Sequence, residues 1–94
     1  MREYELVYIL TPDISDESLS DAMDRVNRMV TGRGATINES QRWGRRRLAY
    51  PIKRFLEGTY VVSQLQMTPE RAVDVDNGLK LAEEVLRHLL VRRD

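Results

Sequence analysis

The 94-residue sequence predicts an α+β sandwich of order β-α-β-β-α-β, a four-stranded antiparallel sheet with two helices on one face. Three observations lead there. Some segments repeat apolar residues every second position, two others open on helix-capping residues and continue at helical spacing, and a proline inside a long extended stretch marks a sheet edge. At this length the chain makes one domain, residues 1–94, able to bury somewhat over ~60% of its unfolded surface and to fold without staples.

In residues 4–10 the even positions Tyr4, Leu6, Tyr8 and Leu10 form an uninterrupted apolar face, the pattern of a strand buried on that side. Thr11-Pro12-Asp13 breaks it. Ser15 stands where it would cap a helix over residues 15–31, with Asp16 and Glu17 in the first turn against the positive end of the helix dipole. Leu19, Met23, Val26 and Val30 recur at helical spacing until Gly32 and Gly34 stop the run. Gly32-Arg33-Gly34 therefore reads as a C-cap and not as a phosphate loop.

A second strand starts at Ala35 and stays extended through Trp43, with Gly44 as a bulge that resets which side faces inward. Beyond it Arg46, Leu48, Tyr50 and Ile52 share one face and Arg45, Arg47 and Ala49 the other. Tyr50 is expected under the helices as core. Because Pro51 donates no ladder hydrogen bond, this segment belongs on an edge strand or on the hairpin leaving it. Glu57-Gly58 is expected to turn the chain into a third strand, residues 59–67, with Val61, Leu65 and Met67 on one side and Tyr60, Val62, Gln64 and Gln66 on the other.

Thr68-Pro69-Glu70 supplies a cap, a proline in the first position and an acid in the first turn of a second helix. Periodicity alone would carry that helix to Val91, since Leu79, Ala82, Leu86 and Leu89 continue the stripe of Ala72 and Val75. Topology favours ending it near Leu81 and adding a last strand, Val85–Arg92, which completes a second crossover unit and gives the first strand a partner. This is the split arrangement of the ferredoxin-like sandwich, whose second sheet face stays partly open.

The formal charge is zero but unevenly laid out. Residues 1–40 carry four basic and eight acidic side chains, residues 41–56 six and none, residues 57–86 two and six, and residues 87–94 three and one. Arg42, Arg45, Arg46, Arg47, Lys53 and Arg54 thus make a concentrated cation on an acidic body, each close exposed pair repelling by roughly 1 kcal/mol in water. A polyanion or an acidic surface laid against them offsets that cost, so the segment reads as a docking face. The lack of cysteine excludes a disulfide framework, a thiol nucleophile and a Cys-ligated metal. No apolar run nears the ~20 residues of a membrane span, and Met1-Arg2-Glu3-Tyr4 holds no signal-peptide core, so a cytoplasmic location is expected. Asn38-Glu39-Ser40 is then a chance match to the glycosylation triplet.

Gly44-Arg45-Arg46-Arg47-Leu48-Ala49-Tyr50-Pro51-Ile52-Lys53-Arg54 resembles the signature of the bacterial small-subunit ribosomal protein six family. Met1-Arg2-Glu3-Tyr4-Glu5 with Thr11-Pro12, and Gln66-Met67-Thr68-Pro69-Glu70-Arg71, resemble the same family, so the likeness spans essentially the whole chain. The resemblance implies the β-α-β-β-α-β fold, no catalysis, no cofactor and no metal, and assembly into the central domain of the small ribosomal subunit. It implies binding to small-subunit ribosomal RNA together with small-subunit ribosomal protein eighteen as a heterodimer, with no small-molecule substrate and no membrane; the isolated chain is expected to be a monomer. The edge strand and its hairpin would face the protein partner through Gln41, Arg42, Trp43, Arg46 and Arg47. The RNA-facing positions implied are Arg2, Arg87 and Arg92, with Lys53, Arg54 and Lys80 as additions. Some members carry an acidic C-terminal tail; this sequence ends at Asp94, and that tail's role is not carried over.

Rival readings find less support. An acylphosphatase needs an Arg and an Asn around a phosphate-cradling loop, whereas residues 10–16 carry a proline and acids that repel phosphate. His88 has no sequence-adjacent carboxylate and is expected at the surface or facing RNA, and Asp74 with Asp76 lacks the ligand count of a calcium loop. The alternative is a small ferredoxin-like regulatory or single-stranded RNA-binding module outside the ribosome. Base-stacking sheets of that kind show two or three aromatics, and only Tyr60 is a candidate on the open face. Trp43 reads as a partner or hairpin anchor. The charged edge also has a protective use, since it blocks strand-to-strand aggregation until the proper partner covers it.

Overall fold

The structure, a computed structural model, describes all 94 residues. Strand β1 (Arg2–Leu10) leads into helix α1 (Asp16–Gly32), then β2 (Thr36–Ile52), β3 (Phe55–Met67), α2 (Pro69–Leu81) and β4 (Val85–Arg92). The strands stand in the order β2-β3-β1-β4, with every neighbouring pair antiparallel. The ferredoxin-like arrangement expected from the sequence is the observed one, and β2 and β4 are its two edges.

The alternation in β1 sets the layers. Tyr4, Leu6, Tyr8 and Leu10 are buried, packed with Leu19, Val26 and Val30 of α1, Val61, Leu65 and Met67 of β3, and Val75 and Leu79 of α2. Directly opposite residues in a sheet share a face. Val7, Ile9, Tyr60, Val62, Arg87, Leu89 and Val91 therefore line the side that no helix covers. Helix α1 runs one residue later at each end than expected: Ser15 precedes it without a side-chain capping bond, and its hydroxyl bonds Ser18 Oγ at 3.2 Å instead.

The β2–β3 hairpin departs from the expected turn. Ile52 pairs with Phe55, so the chain reverses at Lys53-Arg54, with φ of 55° and 99°, and not at Glu57-Gly58. Two successive left-handed residues give the tight reversal that suits strand twist, at about 1–2 kcal/mol for each non-glycine residue. Gly58 lies inside β3 opposite Arg46, and a Cβ there would stand 2.3 Å from Ile9 Cγ2. Close approach of two strands, not a turn, accounts for that glycine.

Beyond Arg47 the β2–β3 register breaks until Ile52, and this arm leans over the open side of the sheet. Leu48 becomes buried there. Tyr50 reaches across to β4, where Arg87 donates a hydrogen bond to its hydroxyl and holds its guanidinium 5.5 Å from the ring centroid. Tyr50 is thus 53% exposed on the open side and is not core under the helices. The arm's apolar face needed a cover, and the vacant sheet face was the nearest one.

His88 corrects a second expectation. It pairs with Tyr8 on the helix side of β4, is 13% exposed, and donates from Nε2 to Asp76 Oδ1 at 2.7 Å, tying α2 to the edge strand. Its acceptor is twelve residues away in sequence, which adjacency could not show. The His88 hydrogen bond, followed by Lys80 at 3.2 Å, holds the Asp76 carboxyl below its usual range. A depressed folded value means the stabilisation is complete above the unfolded carboxyl pKa near 4 and is lost as pH falls through the folded one. Asp76→Asn is expected to lower the melting temperature at pH 7 and to leave a gap to the parent protein that closes below about pH 4. A gap constant from pH 7 to pH 3 would assign the contact to packing alone.

Candidate nucleic-acid and partner interface

The basic edge is built by two sequence features. The β-bulge sits between Arg42 and Gly44, with Gly44 at φ 97°, and it ejects Trp43 from the ladder. Trp43 is half exposed, and the Arg46 guanidinium lies 5.1 Å from its ring centroid. On the helix side Arg42 reaches Ser20 Oγ of α1 at 3.1 Å, and Arg45 reaches the Pro12 carbonyl at 3.3 Å.

Of the six cations in residues 41–56, Arg45 alone meets a carboxylate of the same chain, Glu57 at a loose 3.9 Å between half-exposed side chains. Such an exposed pair contributes little. Arg42, Arg46, Arg47, Lys53 and Arg54 carry full charge into solvent. Elsewhere the body neutralises itself more fully: Arg25 pairs with Glu84, Arg71 with Asp74 and Arg93 with Glu5.

The five residues expected to meet a protein partner are all exposed and contiguous, but they divide over two faces. Gln41, opposite Val62, and Arg46, opposite Gly58, lie on the open side; Arg42, opposite Val61, and Arg47, opposite Glu57, lie on the helix side. The six residues expected to meet RNA are exposed too, yet they do not form one patch. Arg2 and Arg92 share the sheet end where β1 begins, with Arg92 held 3.3 Å from Asp94. Arg87 lies five residues back along β4, roughly 17 Å away at strand rise, and on the opposite face. Lys53 and Arg54 make the hairpin tip, and Lys80 sits on α2 beside Asp76. Sequence reasoning missed Tyr50 as a surface residue of this interface; the signal available was its shared face with Leu48 and Ile52, an apolar stripe on an arm with no helix above it.

Comparison with known proteins bears on the whole chain. The profile of the family described as Ribosomal protein S6 matches residues 3–92. The small ribosomal subunit protein bS6 of Desulforudis audaxviator is 39% identical over 94 residues, covering 100% of both chains. That of Fusobacterium nucleatum is 35% identical over 94 residues, again covering 100% of both. Among solved structures, the crystal structure of 30S ribosomal protein S6 from Thermotoga maritima superposes with a TM-score of 0.88 at 29% identity, covering 98% of this chain and 87% of that one.

Proposed function

The chain belongs to the ribosomal protein S6 family of the small ribosomal subunit, and on that premise we propose that it acts as a non-catalytic scaffold in the cytoplasm, binding small-subunit ribosomal RNA of the central domain together with small-subunit ribosomal protein eighteen. One observation carries the reading: five of the six cations in residues 41–56 find no carboxylate in their own molecule, on an edge strand whose outer backbone groups are also unpaired.

In this reading Gln41, Arg42, Trp43, Arg46 and Arg47 take the protein partner. Their division over two faces supports a partner that straddles the edge of β2 instead of lying on one side of it. RNA binding falls to Arg2, Lys53, Arg54, Lys80, Arg87 and Arg92. Their spacing suits backbone recognition at several separate points on a folded RNA, since the deep groove of an A-form helix is closed to side chains. Arginine serves because its planar fork grips two phosphate oxygens at once.

With about four phosphates neutralised, RNA affinity of the heterodimer is expected to fall with salt at a slope of roughly −3 on a log-log plot. Filter binding or fluorescence anisotropy from 50 to 300 mM salt, on the order of one Debye length and shorter, measures it. A slope near zero would reject RNA as a direct ligand.

A further inference from the structure

The arm of the β2–β3 hairpin closes a pocket of about 310 Å³ against the open side of the sheet. Val7, Ile9 and Leu89 form its sheet wall, Leu48 and Tyr50 its arm wall, and Arg87 joins the two. Eight of the ten lining residues are hydrophobic and the other two, Arg87 and His88, are basic, so no carboxylate enters it. Tyr60 lines the same pocket, which gives the open side two aromatic rings where the sequence offered one. Tyr50 keeps half its surface free even with a guanidinium stacked on it. Arg87 spends one donor on the Tyr50 hydroxyl and leaves the rest of its fork without a protein partner.

We infer that this pocket receives one unpaired nucleobase of RNA, stacked on Tyr50 with its edge over Val7, Ile9 and Leu89, and with its phosphate held by Arg87. The inference rests on the RNA-binding reading above and names a contact within it. Size favours it: the volume is at the small end of ligand sites, enough for a single nucleotide and too little for a helix. Shape favours it, because a flat slot walled by a phenol ring and aliphatic side chains suits a π-face whatever the base. Charge favours it as well. Every formal charge on the lining is positive or titrates to positive, and the unpaired Lys53 and Arg54 at the tip of the same arm extend that field along the path of a phosphate backbone.

The test is methyl NMR of the full-length chain titrated with hexauridylate and with hexaadenylate at low salt. Ring currents of a stacked base are expected to move the methyl signals of Val7, Ile9, Leu48 and Leu89 upfield. Tyr50→Ala is expected to weaken binding tenfold or more while leaving the salt slope unchanged, since it removes no charge. Tyr50→Phe keeps the ring and most of the affinity, and Arg87→Ala lowers the slope by about one. Binding with unmoved methyl signals would overturn the base pocket and leave RNA recognition by the arginines standing. No binding of either oligonucleotide or of central-domain RNA, by the chain alone or with ribosomal protein eighteen, would overturn both. Methyl shifts produced by ribosomal protein eighteen alone, with RNA then unable to add to them, would give the pocket to a protein side chain and end the inference.

Discussion

Tyr8→Ala is expected to lose about 3–5 kcal/mol of folding stability, the range for deleting a large aromatic from a close-packed core. Tyr8 has no exposed surface, sits in the central strand between Val61 of β3 and His88 of β4, and is among the largest fully buried side chains. Its ring fills the space between the sheet and the two helices, and a methyl group in its place leaves a cavity that only partial collapse can repair. The hydroxyl is another matter. It has no protein hydrogen-bond partner, and burial, with Glu84 nearby, pushes its ionisation upward, so it stays neutral. Tyr8→Phe is therefore expected to change stability by less than about 1 kcal/mol, because no protein group loses a bond. Urea denaturation with a common slope for all three proteins measures both numbers. A Phe variant as unstable as the Ala variant would show that the hydroxyl, and not the ring, anchors this position.

The second large effect concerns association. Reversing Arg46 and Arg47 together to glutamate is expected to weaken docking of ribosomal protein eighteen by roughly a hundredfold, within the 2–5 kcal/mol typical of disrupting desolvated charged contacts. Thermal stability should stay within about 0.5 kcal/mol, as for other surface substitutions. Both side chains are exposed and neither has a carboxylate partner to lose. Because Arg46 lies on the open side and Arg47 on the helix side, the single reversals separate two geometries. A partner straddling the edge feels both; a partner lying on one face feels only one. Calorimetric titration of each variant against ribosomal protein eighteen decides between them. Loss of RNA affinity with protein docking intact would show that the two interfaces had been exchanged.

Local patterning carried most of the architecture. The even-position stripe of β1, the Thr68-Pro69-Glu70 helix start and the Gly44 bulge are each short-range signals, and each is observed where the chemistry put it. The boundary between α2 and β4 was not local, since the stripe from Val75 to Leu89 fits one helix throughout. It was legible only by asking which arrangement leaves β1 paired on both sides, and the observed break at Leu81 with β4 from Val85 answers that requirement. The three misreadings share one cause. Gly58 was assigned to a turn because the approach of Ile9 lies 49 positions away in sequence. Tyr50 and His88 were misplaced because Arg87 and Asp76 reach them only once the sheet is assembled.

The residue order alone determined the layer structure, the excess of cationic side chains in residues 41–56 and the kinship those residues signal, because periodicity, proline chemistry and charge are written along the chain. Tertiary structure alone decided which cations stay unneutralised, which side of the sheet each faces, and that the hairpin arm bends back to join Tyr50 with Arg87 over an apolar pocket. Those are distances between residues remote in sequence, and they acquire values only when the strands have found their register.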